Sequence, residues 1–206
     1  MKLYYSPGAC SQSPHIVLRE TGADFELVRV DTKTKLTKDG ADFRKVNPKG
    51  MVPALELDSG EVLTEGPAIV QYIADKQGNT ELMPAAGTIE RYRVLEWLNY
   101  ITSEIHKTFS PLFNPKTPEE YKAILKDNLA ARFAHVNEKL AGKPYLTGNN
   151  FTAADAYLFV VTNWSRLHKI DIAQWPNLKA FMDRVAARPK VQEALQEEGL
   201  IKASAA

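Results

Sequence analysis

Every convincing strand signal in this chain lies before residue 78, and from Ile89 onward only helical periodicity remains. A chain that changes its pattern once, near Asp75-Lys76-Gln77-Gly78-Asn79, reads as two pieces, and 206 residues suit two small domains. In the first, 1–78, Lys2–Tyr5 and Glu26–Val30 read as strands on either side of a helix from Ser13 to Thr21 that Gly22 ends. Val52–Leu57 and Glu61–Leu63 read as a second strand pair around Asp58-Ser59-Gly60, with a helix over Glu65–Lys76 after them. A crossover helix makes the first pair parallel and a tight turn makes the second antiparallel, so the sheet is predicted to be mixed. Residues 79–87 are the expected linker. Residues 88–206 are the expected all-helical domain, broken at Pro111–Pro118, Gly142-Lys143-Pro144, Gly148-Asn149-Asn150 and Gln174-Trp175-Pro176.

One helix start in the second part is well defined. Phe151-Thr152-Ala153-Ala154-Asp155 puts Thr at the cap, an acid three residues later and an aromatic before it, the pattern of a capping box with a hydrophobic staple. The apolar run Ala156–Val161 that follows is apolar all round, as a helix buried on every side would be. At six residues it is far too short to cross a bilayer of ~30 Å.

Charge and cysteine content narrow the partners. With 26 basic against 25 acidic residues the chain lacks the basic footprint of a nucleic-acid binder, and an anionic membrane is an equally poor fit. Met1-Lys2 runs directly into Leu3-Tyr4-Tyr5 with no signal-peptide pattern, so a cytoplasmic protein is expected. A single cysteine excludes an internal disulfide and fits a reducing compartment.

Three loops of the first domain carry chemistry. Tyr5-Ser6-Pro7-Gly8-Ala9-Cys10-Ser11 leaves a strand and enters a helix, so Cys10 sits where free N–H groups and the helix dipole favour an anion and lower a thiol pKa. A lone cysteine is also among the residues most often simply buried. In Asn47-Pro48-Lys49-Gly50-Met51-Val52-Pro53 the proline holds Val52 extended, in a cis or trans bond, either as a rigid loop or as a backbone edge that an extended peptide could join. In Leu63-Thr64-Glu65-Gly66-Pro67, Thr64 or Glu65 caps a helix. Its N–H groups suit a carboxylate, and Glu65 suits an ammonium or merely the helix dipole. In the second domain, the helix from Ile89 to about Phe109 places Val94, Leu98, Ile101, Ile105 and Phe109 on one face and Glu96, Asn99, Ser103 and His106 on another. His106 is the best-placed proton handler in the chain, whereas His15, His135 and His168 read as surface or packing residues.

The three loops have the order of a thioredoxin-like α/β domain, here followed by the all-α helical C-terminal domain. The whole chain resembles a bacterial beta-class glutathione transferase. The resemblance rests on Tyr5–Ser11, Asn47–Pro53, Leu63–Gly66, Glu96-Trp97-Leu98-Asn99-Tyr100-Ile101 and the Phe151–Asp155 cap. It implies glutathione as co-substrate and no metal, with Cys10 beside the glutathione sulfur, Val52 pairing with the cysteinyl backbone, and Glu65 and Gly66 holding the γ-glutamyl end. Many glutathione transferases carry Ser where this chain has Gly66, so only its backbone N–H can serve. Lys35 meets the glycine carboxylate, with Lys33 and Lys38 close in sequence. His106 lies near Cys10, Ser103 is among the glutathione-binding residues, and Ser11 and His106 share the activation of the thiol with Cys10. Tyr5, which corresponds to the activating tyrosine of some other classes, is a further catalytic candidate with a structural or supporting place favoured. Asn99 reaches the glutathione of the partner subunit, which implies a homodimer.

The expected reaction is conjugation: a glutathione thiolate attacks a hydrophobic electrophile in detoxification or xenobiotic degradation. One rival makes Cys10 a redox nucleophile that forms a mixed disulfide with glutathione, in thiol-transferase or reductive dehalogenase chemistry. Another makes the chain a non-catalytic protein that binds hydrophobic ligands.

Overall fold

In the computed structural model, which describes residues 1–202, the strand closest to the N-terminus becomes the middle of a sheet. Strand β1, Lys2–Tyr5, lies between β2, Glu26–Arg29, and β3, Ala54–Glu56, and β4, Val62–Thr64, completes the order β2-β1-β3-β4. The β1–β2 pair is parallel, with Lys2 opposite Glu26, and the other two pairs are antiparallel, with Leu3 opposite Leu55 and Leu55 opposite Leu63. The sheet is therefore mixed, as the connections require. A central strand needs apolar residues on both faces. Tyr4 packs with Val30, Phe43 and Ala54 on one side, while Leu3 and Tyr5 point to the other, where Tyr5 meets His15.

Two helices cover that second face. Helix α1, Gln12–Thr21, buries Ile16, Val17 and Leu18, and α2, Gly66–Lys76, buries Ile69, Val70 and Ile73 against it. Gly22 stops α1 at φ +68°, a left-handed conformation suited to glycine. This is the thioredoxin-like arrangement expected from the loop order.

The chain forms two compact units, and their division corrects the expected boundaries. Met1–Met83 joins with the segment from Ala187 onward, and Pro84–Ala186 forms the second unit. Helix α8, Pro189–Glu197, was assigned to the helical domain within 88–206, yet it packs on α1. Its acids explain why. Glu198, fully buried, accepts from the Gly8 N–H at 2.8 Å and from Gln12 Nε2 at 3.1 Å, and its other oxygen meets His15 Nδ1 at 2.9 Å. His15 Nε2 meets Glu197 at 2.8 Å, Arg19 reaches the same carboxylate, and Arg188 grips Glu20 at 2.7 and 2.9 Å. His15, expected to be a surface or packing residue, is wholly buried between two acids. Both ring nitrogens must donate for both contacts to be hydrogen bonds.

The second unit is helical, with no strand among its described residues. A long helical run passes through α3, Ile89–Tyr100, a π-helical turn, Ile101–His106, and the short α4, Lys107–Phe109. Val94, Leu98, Ile101, Ile105 and Phe109 are all buried, as their spacing predicts. At the π turn the Lys107 N–H bonds Thr102 O, five residues back. Thr102 and Ser103 hydroxyls donate to the carbonyls of Leu98 and Asn99, which draws those acceptors away from the backbone ladder.

Helix α5, Glu119–Lys139, buries Leu125, Leu129, Phe133 and Val136, and α7, Pro176–Ala186, buries Leu178, Phe181, Met182 and Val185. Helix α6, Ala153–Asn163, is buried from Ala153 to Thr162 and begins with the capping box read from the sequence. Asp155 accepts from the Thr152 N–H at 2.8 Å and from the Leu146 N–H at 2.9 Å, so one carboxylate ends a loop and starts a helix. Among the described residues no helix is long and apolar enough to cross a membrane.

The two neighbouring acids at the end of α8 have different expected weights. Glu198→Ala strands a buried His15, a Gly8 N–H and a Gln12 amide, and should lower stability by ~3 kcal/mol. Glu197→Ala removes a half-exposed partner and should cost less than about 1 kcal/mol. Urea unfolding midpoints of the two variants compare them, and equal shifts would contradict this reading.

Candidate active site

The Cys10 loop is built from its own backbone. The Ala9 N–H bonds Ser6 O at 3.0 Å, and Gly8 turns at φ +70° with its N–H on Glu198. Ser11 closes the loop, since its hydroxyl accepts from the Ser6 N–H at 3.1 Å and donates to Ser6 O at 3.3 Å. Ser11 is fully buried, with its hydroxyl engaged in closing this turn.

Cys10 follows this turn immediately before α1, with a free and partly accessible thiol. Its Sγ donates to the Val52 carbonyl at 3.4 Å. The expectation of a lowered thiol pKa does not hold. Burial pushes the Cys10 pKa up to about 11, the nearby Glu65 charge adds to this, and the backbone N–H groups of Cys10 and Ser11 offset only part. Two amide dipoles do not replace the hydration a thiolate loses in an apolar setting.

The acceptor of that thiol belongs to the second loop. Val52 packs its side chain against the Tyr4–Phe43 cluster, and the Val52–Pro53 bond is cis. Its N–H has no partner among the described residues, which leaves a short backbone edge. Asn47 sets up this edge by donating to Met51 O at 2.7 Å and accepting from the Lys49 N–H. Lys35 is half-buried and its Nζ reaches Gly50 O at 2.8 Å, while Lys33 and Lys38 are exposed. Lys35 holds φ at +64°, a conformation unusual for a side chain with a Cβ. The structure therefore brings Lys35, of the three candidate lysines, to the Gly50–Val52 edge.

The third loop carries the charges. Glu65 caps α2 with φ +71° and pairs through Oε1 with Lys49 Nζ at 2.5 Å, and Lys49 also bonds Thr64 Oγ1 at 2.8 Å. Lys49 lies in the Asn47–Pro53 motif but received no role from the sequence. Gly66 opens α2, and a Cβ built there would meet only Pro53 Cγ at 3.9 Å, an ordinary contact. Tyr5 stands apart from these groups, against the His15 ring at 6.2 Å. Burial, then the Glu198 charge, raise its pKa, which disfavours a tyrosinate.

In the helical unit, Asn99 and Ser103 are exposed on the turn before His106, and Glu96 is engaged by Arg93 at 2.9 Å. His106 is half-buried. Its Nδ1 lies 2.5 Å from the Tyr157 hydroxyl, and its ring meets Trp164 edge-on at 4.9 Å. Tyr157 is the functional group sequence reasoning missed, because Ala156–Val161 read only as core. A buried tyrosine, whose hydroxyl wants a partner, was the available signal. Phe113, 47% exposed, meets Trp164 and His168 edge-on, whereas Phe109 is fully buried.

Comparison with known proteins follows the same division. The family model for the glutathione S-transferase N-terminal domain matches residues 8–76, and that for the glutathione S-transferase C-terminal domain matches residues 100–189. The chain is 50% identical over 200 residues to glutathione S-transferase GstA of Escherichia coli O157:H7, covering 97% of this chain and 100% of that one. It is 50% identical to a sphingomonad glutathione S-transferase complexed with glutathione, at a TM-score of 0.94, covering 98% of this chain and all of that one. It is 48% identical, also at a TM-score of 0.94 and covering 98% of this chain and all of that one, to the bacterial beta-class glutathione S-transferase of Sphingomonas chungbukensis.

The raised Cys10 pKa has a direct readout. Without ligand, iodoacetamide should alkylate Cys10 at pH 7 about two orders of magnitude more slowly than an ordinary thiol of pKa ~8.5. The rate should climb about tenfold per pH unit until close to pH 11. A plateau below pH 8 in a pH series followed by mass spectrometry would mean that the helix start outweighs burial.

Proposed function

Because the chain belongs to the glutathione S-transferase family, in its bacterial beta class, and is thus a glutathione S-transferase, we propose that Cys10 stabilises a glutathione thiolate as a hydrogen-bond donor. The observation that carries this reading is the 3.4 Å contact from Cys10 Sγ to the Val52 carbonyl. The thiol that keeps its proton at neutral pH lies on the backbone edge where an extended peptide would add.

Glutathione would pair its cysteinyl backbone with the Val52 N–H and C=O. Its own N–H would then take over the Val52 carbonyl and release the Cys10 S–H toward the incoming sulfur. Glu65 receives the γ-glutamyl ammonium, and the Gly66 N–H, at the positive end of α2, receives the carboxylate beside it. Lys35 receives the glycine carboxylate. The proton leaving the glutathione thiol goes to His106, with Ser103 on the same stripe. The thiolate then attacks an apolar electrophile in detoxification or xenobiotic degradation, and the exposed Phe113 offers it an aromatic surface.

A homodimer fits the exposed apolar residues Met51, Ile89 and Tyr92, which a second copy would cover, and the exposed Asn99 would contact the partner's glutathione. The free Cys10 and a glutathione substrate together fit a reducing cytosol. A mixed disulfide on Cys10 fits less well, because at a pKa of about 11 only about one Cys10 in ten thousand is ionised at pH 7.

Two measurements test this. Replacing Cys10 by Ala should slow aryl-halide conjugation by roughly 10–100-fold, the weight of one hydrogen bond to a charge, while leaving measurable turnover. Reduction of a glutathione mixed disulfide should be weak in the parent protein and absent in the variant. Strong reductase activity that exceeds conjugation would favour the redox reading instead. Gly66→Ser, for which there is space, should leave the unfolding midpoint unchanged or raised by a few tenths of a kcal/mol. The KM for glutathione should fall about fivefold through the added hydroxyl. An unchanged KM would show that the γ-glutamyl group does not bind at the start of α2.

A further inference from the structure

The contacts of His106 go beyond what the assigned reaction asks of it. The ring sits at the end of the π-helical turn Ile101–His106, and its carbonyl is held by the Ser110 hydroxyl at 3.1 Å. Tyr157, 4% exposed, reaches Nδ1 at 2.5 Å with ring centroids 5.8 Å apart at 79°. It belongs to α6, whose register is fixed one turn earlier by the Thr152–Asp155 capping box, so the phenol is held firmly. From the turn after α6, Trp164 meets the same ring at 4.9 Å and 71°. A titratable phenol and an indole ring in edge contact thus both meet the imidazole.

We propose that Tyr157 is the positioning residue of His106, its hydroxyl accepting from Nδ1–H and so assigning the proton that His106 exchanges to Nε2. This rests on His106 being the proton handler of the reaction proposed above. The accounting of protons is simple. The glutathione S–H bond breaks, its proton joins Nε2, the sulfur keeps the electron pair, and Nδ1–H stays on Tyr157. The imidazolium so formed meets the Trp164 ring, and Nε2 returns the proton to water when the thioether product and the leaving group depart. A phenol suits this position because its oxygen accepts from Nδ1–H and leaves Nε2 as the nitrogen that takes the thiol proton. Phenylalanine would fill the same volume and lose the acceptor.

The test uses the full-length protein, with Tyr157→Phe and His106→Gln. In the parent, nitrogen-15 NMR of labelled histidine, with the His106 signal assigned by its loss in H106Q, should show Nδ1 protonated at neutral pH. An Nε2-protonated neutral ring would overturn the proposal. In Y157F the acid limb of the pH profile of kcat/KM should shift, kcat for an aryl halide should fall about tenfold, and the KM for glutathione should stay unchanged. The double variant should be no slower than H106Q alone. If H106Q is slow but Y157F keeps the parental pH profile and tautomer, Tyr157 has no positioning role and the reading of His106 stands. If H106Q conjugates at the parental rate, His106 is not the proton handler and both readings fall.

Discussion

The buried Glu198 carboxylate is the constraint on which the first unit depends. One oxygen gathers the Gly8 N–H and the Gln12 amide, and the other meets His15, so a single side chain ties the end of α8 to the Cys10 loop and to α1. An acid in that position is tolerable only because both of its oxygens are engaged, one by two donors and the other by His15. Gly8 is favoured by its backbone conformation, while its N–H makes the contact that any residue but proline could make. Its φ of +70° belongs to glycine, and its bare N–H faces the carboxylate at 2.8 Å. Without this anchor the turn from Ser6 to Ser11 would rest on its local bonds alone, and the position of Cys10 would be correspondingly looser.

The same burial decides the chemistry of Cys10. A helix start lowers a thiol pKa when the sulfur is hydrated or faces a cation. Here burial is the largest effect and outweighs the N–H groups of Cys10 and Ser11, the charge of Glu65 adds a smaller push in the same direction, and the pKa rises to about 11. A thiol that keeps its proton at neutral pH is a poor nucleophile there, but it retains an S–H, a weak donor, to offer a neighbouring thiolate. The distinction matters because a donor lowers the energy of a neighbouring thiolate without entering a covalent bond with it.

How much of this was legible depended on how far each signal travels along the chain. The strands, the mixed sheet, the buried face Val94-Leu98-Ile101-Ile105-Phe109 and the Thr152–Asp155 cap are local patterns, and each appears where its spacing puts it. The ion pairs of His15 were not legible, because Glu197 and Glu198 lie more than 180 residues away and nothing in α8 names its partner. For the same reason α8 was placed with the wrong unit. The three loops around Cys10, Val52 and Glu65 were recognisable, but the direction of the thiol pKa was not, since desolvation is a property of the packed surroundings. Tyr157 was hidden by its own neighbours. In an unbroken apolar run its ring satisfied the packing pattern, and the hydroxyl that meets His106 went unread.

The candidate site combines firm support behind with exchangeable contacts in front. Behind the Cys10 loop stands Glu198, a buried acid that several donors hold. In front, several of the side chains proposed to meet glutathione already have a modest partner in the free chain. Cys10 donates to the Val52 carbonyl, Lys35 to the Gly50 carbonyl, and Lys49 pairs with an exposed Glu65. An exposed ion pair contributes at most about 1 kcal/mol, and a long thiol contact less than an ordinary hydrogen bond. These partners hold the side chains near the positions a peptide ligand needs, yet a ligand that offers an ammonium, a carboxylate and a backbone N–H can replace them at little cost. Preorganisation of this kind lowers the entropy lost on binding without trapping the free protein in a closed set of contacts.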